Sequence, residues 1–282
     1  VLSILHRLRS LLFDAAGFGA VDGIPLLEGK ASAMRKELFY LSTISPDAPC
    51  VAREYGFGLE LAEFCTAWNM DEKFTHVDSV VKKKLEGIPR SLLHAPYNEL
   101  FPCAIDKKAR ALAAERYRRA TELATRYGSR KVILHGGYNP RIYFPVWYVK
   151  QSVLFWQDFL RSDPGVEIVL ENVLEDDPRW LLDIVAAVDD PRLRLCLDIG
   201  HVNAYSSVPL TDWLVLWAPY LSHLHIHNND GSRDAHNALN EGTIPIKELL
   251  LQAQHLCPDA TYTLELMNDA PSVVWLQEND LI

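Results

Sequence analysis

Six short hydrophobic runs in this 282-residue chain each end in a histidine or a carboxylate. The residues at these ends are His94, His135, Glu171, Asp198, His227 and Glu265. Successive members lie roughly 27 to 41 positions apart, about the length of one strand-plus-helix unit of a closed parallel barrel. Core packing would place Val, Ile or Leu at such positions. The repeat therefore predicts a barrel whose strand ends meet around a polar site.

Eight runs in all have the length and composition of β-strands, and helical patterns separate them. We expect strands near residues 38–44, 57–64, 90–95, 131–136, 166–171, 193–198, 221–227 and 261–266. Residues 106–128 have the pattern of a helix ending at Gly128, and residues 177–188 that of a helix opened by an Asp-Pro pair. This alternation predicts an α/β fold, a (β/α)8 TIM barrel with a short N-terminal extension.

The length and the composition, 49% hydrophobic and 23% charged, fit one large domain. We expect residues 1–36 to form the N-terminal extension, packed on the barrel, and residues 37–282 to form the TIM-barrel catalytic domain. The first residues are apolar, but His6, Arg7 and Arg9 interrupt them. That pattern is typical of an amphipathic helix and not of a signal sequence or a membrane span.

The net charge of −9 argues against a nucleic-acid partner bound by a broad basic face, although a locally basic groove stays possible. The five cysteines are odd in number and show no CxxC spacing. The cysteine pattern favours a reduced, cytoplasmic compartment.

Residues two apart on a strand share a face, so His223, His225 and His227 point the same way on the seventh run. Only the last of the three is expected to reach the barrel mouth, which leaves the other two as hydrogen-bonded core histidines. On the second run, Glu60 and Glu63 fit a position at the mouth and a salt bridge across the barrel equally well.

Glu171, Asp198, His227 and Glu265 offer three carboxylates and one imidazole, a set that suits Mn2+, Mg2+, Co2+ or Zn2+. Two carboxylates near a polarising cation also suit proton transfer beside a carbonyl group. One removes the proton and the other returns it, while the metal stabilises the enediolate. His201, three residues after Asp198, could bind the metal or a substrate hydroxyl.

The loop after the seventh run carries Asp234 and His236, an Asp-x-His pair that can supply two ligands to one small ion cluster. Arg233 precedes this pair and could contact a phosphate or a hydroxyl group. Tyr97 follows the third run, where an aromatic ring could line a sugar site or simply pack against the barrel.

The segments HAPY, VILHGG, VLENV, LCLDIGH, HIHNNDGSRDAH and LEL resemble, in order, the motifs of the xylose isomerase-like barrel superfamily. That superfamily includes sugar (phosphate) isomerases and epimerases as well as endonuclease IV-like DNA repair enzymes. The resemblance covers roughly residues 37–270.

Resemblance to the ketose epimerases implies one divalent ion held by Glu171, Asp198, His227 and Glu265. It also implies that the two glutamates exchange the proton and that His201 helps to hold the substrate. On this interpretation the substrate is a small sugar, polyol or sugar phosphate. The residues expected to contact it are His94, His135, Tyr97 and Arg233.

Resemblance to the endonuclease IV branch implies instead three Zn2+ ions that activate water against the phosphodiester of abasic DNA. Nine residues would hold these ions: His94, His135, Glu171, Asp198, His201, His227, Asp234, His236 and Glu265. The STISPD and VNAYSS segments depart from that branch, and the loops show no concentration of Arg and Lys suited to bent DNA. The sequence therefore favours the isomerase or epimerase, with a related lyase and the repair hydrolase as alternatives.

Overall fold

The computed structural model describes residues 33–282. Within this range eight parallel strands, β1 to β8, pair in chain order and close into a barrel. They span Phe39–Ser42, Gly58–Leu61, Ser91–His94, Lys131–His135, Glu167–Glu171, Leu193–Asp198, Leu221–Ile226 and Thr261–Leu264. Each strand falls within its predicted run, so the predicted (β/α)8 TIM barrel is confirmed.

In the described part of the chain, helices α1 to α9 lie between successive strands and α10 follows β8. They span Ala48–Tyr55, Ala67–Met70, Phe74–Leu85, Lys107–Arg126, Pro145–Phe159, Arg179–Val188, Ile199–Tyr205, Leu210–Trp217, Ile246–Leu256 and Ala270–Glu278. The two helices predicted at 106–128 and 177–188 are confirmed as α4 and α6. Gly128 follows α4 with a φ of 72°, a left-handed conformation that glycine adopts without strain.

The helices pack on the barrel through one apolar stripe each, as α4 illustrates. Its buried residues include Ala113, Tyr117, Ala120 and Ala124, which recur at the spacing of one helix face. The Tyr117 ring stacks on Trp156 of α5 with centroids 5.8 Å apart. The two neighbouring helices therefore also pack against each other.

The interior of the barrel is divided between apolar and polar side chains. One cluster is apolar and consists of Tyr40, Leu92, Ile133, Val169 and Cys196. The other part of the interior is polar, and its buried members are Glu60, His223, His225 and Thr263. Towards the carboxyl ends of the strands most interior side chains are polar, and the candidate site lies there.

The predicted N-terminal extension, residues 1–36, lies mostly outside the described residues, so its packing on the barrel stays a prediction. From Ala33 onwards the chain belongs to the barrel unit. Met34, for example, donates its backbone N–H to Leu281 over 2.8 Å. None of the helices in residues 33–282 is long and apolar enough to cross a lipid bilayer.

Candidate active site

All nine ligand-type residues predicted from the sequence meet at the carboxyl ends of the strands. The register between neighbouring strands explains how they come together. His135 of β4 pairs with Glu171 of β5, and Asp198 of β6 pairs with His225 of β7. The parallel ladders therefore hold these side chains level with one another around the mouth.

The first group of ligand atoms surrounds one oxygen of Glu171. Nε2 of His94 lies 3.2 Å from Glu171 Oε2, and Nε2 of His135 lies 3.6 Å from the same oxygen. The candidate ligand atoms of these three residues all lie within 4.8 Å of one another, close enough to share a single ion.

The central group consists of three carboxylates arranged around one imidazole nitrogen. Nδ1 of His225 lies 3.4 Å from Glu171, 3.6 Å from Asp198 and 3.7 Å from Glu265. Asp198 is fully buried, and Glu171 and Glu265 are nearly so. Carboxylates that lie this close together and are this well shielded from water require a cation or protons between them.

The third group is built around Asp234 on the loop after β7. Its Oδ2 lies 3.1 Å from Nε2 of His236 and 3.3 Å from Nε2 of His201. His227 connects this group to the central one, since its Nε2 lies 3.1 Å from Asp198 Oδ1 and 3.7 Å from Asp234 Oδ1.

Backbone and amide contacts fix the position of Asp198. The N–H of His201 donates to Asp198 Oδ1 over 2.7 Å, so Asp198 caps α7 and orients the histidine three residues later. The Asn172 side chain donates to the Asp198 carbonyl over 3.0 Å and accepts its N–H over 2.9 Å. Asn172 thus continues the β5–β6 ladder, a role that the sequence alone did not reveal.

Three of the histidines are held in the tautomer that leaves Nε2 free to bind a metal ion. Nδ1–H donates to a backbone carbonyl in His94 (Ala95, 3.0 Å), His201 (Asn172, 2.8 Å) and His236 (Glu265, 2.8 Å). In the neutral form of each imidazole, Nε2 then presents a lone pair towards a carboxylate.

Two acceptors that face one another repel unless a cation lies between them. The buried Asp234 Oδ1 and His227 Nδ1 also lack hydrogen-bond partners. The donor set therefore fits divalent metal ions.

Burial and the surrounding charges push the pKa values of the two glutamates in opposite directions. Burial raises the pKa of Glu265 above its ordinary value. Burial acts on Glu171 in the same sense, but the charge of His225 outweighs it and holds the pKa of Glu171 well below the usual range. Burial also lowers the pKa of His135 to about 3, which keeps its lone pair available.

The expectation that His227 alone, of the three histidines on β7, reaches the mouth is wrong. The register pairs His225, not His227, with Asp198, so His225 lies level with the carboxylates. Beneath it, Glu60 is fully buried in the barrel interior. Glu63 forms a salt bridge over 2.6 Å with Lys84 of α3, a local pair and not the expected salt bridge across the barrel.

The residues predicted to bind substrate differ in how they are placed. The Tyr97 ring is 38% exposed and stacks on His135 with centroids 4.2 Å apart, so it forms part of the wall of the mouth. Arg233 is exposed, and within the described residues it makes no hydrogen bond or ion pair with the nine ligand-type side chains.

The fold and this donor set agree with the outcome of comparison with known proteins. Residues 54–279 match the family model described as the xylose isomerase-like TIM barrel. The chain belongs to this family. An uncharacterized protein of Methanocaldococcus jannaschii, MJ1311, is 30% identical over 192 residues, which are 63% of this chain and 64% of that protein. The chain thus spans less than two thirds of the length of that relative.

Solved structures share the barrel fold at low sequence identity. A D-tagatose 3-epimerase-like protein superposes with a TM-score of 0.72 and 24% identity, over 86% of this chain and 96% of the other. The TTHB071 protein from Thermus thermophilus, soaked with ZnCl2, gives a TM-score of 0.68 and 22% identity, over 86% and 97%. At these identities the similarity establishes the common fold.

Proposed function

We propose that this protein is a divalent-metal-dependent isomerase or epimerase of a small sugar, polyol or sugar phosphate. The observation that carries the proposal is the position of Glu171 and Glu265, which approach one imidazole nitrogen at the barrel mouth from two different strands. Their oxygens lie 3.4 Å and 3.7 Å from His225 Nδ1. A substrate carbon held above that point would have a carboxylate on either side.

The opposite pKa directions of the two glutamates support a division of labour. Glu171, which keeps its negative charge, is suited to remove a proton from the carbon beside a carbonyl group. Glu265, whose pKa burial raises, is suited to carry a proton and deliver it to the opposite face. Reversal of the two roles gives the reverse reaction.

We assign Glu171, Asp198, His227 and Glu265 as the residues that would hold the metal ion. When bound there, Mn2+, Co2+, Mg2+ or Zn2+ would polarise the substrate carbonyl and offset the negative charge that develops on its oxygen. We assign to His201 the role of holding a substrate hydroxyl. The stacked rings of Tyr97 and His135 offer a flat surface to the sugar, and Arg233 would reach a phosphate only after its side chain turns inward.

The test is exchange of substrate hydrogen with solvent. Protein loaded with Mn2+ or Co2+ is incubated in D2O with D-tagatose, other ketohexoses, polyols that carry one carbonyl group and the phosphates of these compounds, and deuterium is followed by NMR. A sugar isomerase or epimerase incorporates deuterium beside the carbonyl, and Glu171→Gln abolishes the incorporation. An absence of exchange with every sugar tested would contradict the proposal.

A second candidate function has one observation in its favour. All nine residues that resemblance to the endonuclease IV branch assigns to three Zn2+ ions come together here, including the Asp234 group. That convergence supports a phosphodiesterase acting on abasic DNA.

The metal content of protein purified without chelator distinguishes the two candidates. About one ion per chain, with sugar-dependent exchange, favours the isomerase. Three Zn2+ per chain, with salt-sensitive cleavage of abasic duplex DNA, favours the hydrolase.

A further inference from the structure

A fully buried carboxylate lies directly beneath the central group of ligands. Nε2 of His225 lies 3.1 Å from Oε1 of Glu60 and 3.3 Å from its Oε2, and neither side chain has measurable exposure. Since a carboxylate can only accept, the hydrogen of this contact belongs to His225 Nε2. In the neutral imidazole the lone pair is then on Nδ1, at the opposite side of the ring, towards the mouth.

Glu60 is itself held from two sides. The Thr263 hydroxyl donates to Glu60 Oε2 over 2.6 Å, and Nε2 of His223 lies 3.2 Å from the same oxygen. The carboxylate therefore has a fixed orientation. It sets the rotation of the His225 ring in the way that carboxylates fix histidine ligands in metal sites.

Nδ1 of His225 has no hydrogen-bond partner although it is buried. It faces oxygens of Glu171, Asp198 and Glu265 at 3.4, 3.6 and 3.7 Å. Ligand atoms bonded to one Zn2+ at about 2.1 Å lie roughly 3.0 to 3.5 Å from one another in octahedral or tetrahedral arrangements. The spacing around Nδ1 is close to that of atoms sharing one ion.

We propose that His225 coordinates, through Nδ1, the divalent ion held by Glu171, Asp198 and Glu265, and that Glu60 is the carboxylate that orients it. The inference rests on the proposed metal centre. It goes beyond the predicted ligand set, in which His227 was the only imidazole. His227, which lies between Asp198 and Asp234, then faces both the central group and the Asp234 group.

A crystal of the whole chain soaked with Co2+ and measured at the cobalt absorption edge tests this directly. The expected anomalous peak among the three carboxylates lies about 2.0 to 2.3 Å from His225 Nδ1. A peak bonded to the carboxylates and to His227, but more than about 3 Å from His225 Nδ1, would overturn the inference and leave the metal centre intact. No peak among the carboxylates at saturating Co2+ would contradict the metal centre itself.

Equilibrium dialysis with Co2+ provides a second readout in solution, with His255 as the control histidine. His255 lies on the exposed side of α9 and belongs to none of the three groups of ligand residues.

We expect His225→Gln to weaken cobalt binding at least tenfold and Glu60→Gln to weaken it about 10- to 100-fold. His255→Gln should change the affinity less than about twofold, since His255 is not among the residues that hold or orient the ion. Unchanged affinity in His225→Gln, or equal losses in the two histidine variants, would refute the assignment. Thermal unfolding of each variant verifies that the barrel has formed.

Discussion

The imidazole of His227 lies directly against Gly200 in the first turn of α7. A Cβ added at Gly200 would be 1.8 Å from Cε1 of His227 and 2.4 Å from each ring nitrogen. On its other side His227 stacks on His236, with ring centroids 4.2 Å apart. The ring therefore fits between two elements only because residue 200 has no side chain.

Substitution Gly200→Ala should displace His227 and thereby weaken divalent metal binding. We expect at least a tenfold loss of Co2+ affinity by equilibrium dialysis, comparable to the loss of an orienting contact. The better helix propensity of alanine, up to about 1 kcal/mol, offsets only part of the roughly 1 to 3 kcal/mol that overpacking costs, so thermal unfolding of the variant must show that the barrel has formed. Unaltered cobalt affinity would show that His227 does not hold the ion.

Substitution Glu265→Gln should lower turnover by about 10²- to 10⁴-fold, because the amide cannot exchange a proton. Stability should change little, since the side chain lies at the mouth and not in the packed shell. Glu63→Gln is the matched control, since Glu63 pairs with Lys84. It should leave turnover close to that of the original protein. Comparable rates for the two variants would refute the role of Glu265.

Asp269 should make the barrel less stable as the pH rises. The residue is fully buried before α10, and neither carboxylate oxygen has a hydrogen-bond partner. Burial and the neighbouring charge of Asp47 raise its pKa from 3.8 to about 8. The unfolded chain releases this proton near pH 4, whereas the folded chain keeps it up to about pH 8, so stability falls between these values.

Urea unfolding at pH 5 and pH 8 measures this effect. Asp269→Asn cannot ionise, so it should flatten the pH dependence and exceed the original protein in stability at pH 8. Asp259→Asn, a change at an exposed side chain paired with Arg35, should leave the dependence unchanged. An equally steep decline in Asp269→Asn would show that Asp269 ionises normally.

Tyr97 should contribute to substrate binding rather than to metal binding. Its ring stacks on His135 and carries none of the ligand atoms of the three groups. Tyr97→Ala should raise KM about tenfold, as expected for loss of roughly 1.4 kcal/mol of contact, whereas Tyr97→Phe should keep the stack and most of the affinity. A fall in the cobalt affinity of Tyr97→Ala would contradict a role of Tyr97 in substrate binding alone.

Removal of metal should lower the thermal midpoint. The buried carboxylates of the central group repel one another without a cation, and an ion bound only to the folded state adds about 2.7 kcal/mol at 100 times its Kd. Dialysis against EDTA followed by differential scanning calorimetry, with Mn2+ or Co2+ restored in steps, measures the effect. A midpoint independent of metal concentration would argue against a site in the folded protein.

The fold and most of the site could be predicted because both depend on local sequence. Hydrophobic runs of strand length mark β1 to β8, and the cap that Asp198 makes with His201 needs only three residues of spacing. The position of His225 along the barrel axis could not be predicted. It depends on the register between β6 and β7, which shifts at Leu195 and Cys196. The contact of Glu60 with His225 could not be predicted either, because only closure of the barrel brings β2 within reach of β7.

The buried side chains of Glu60, His223 and Thr263 fill the interior of the barrel and also support the groups above them. A substitution of one of these residues that alters the chemistry at the mouth therefore also alters the packing that keeps the barrel closed. Attempts to give this scaffold a new reaction should leave these three residues in place. Substitutions for this purpose should be confined to the connecting loops, where Tyr97 and Arg233 can be replaced without disturbing the packing inside the barrel.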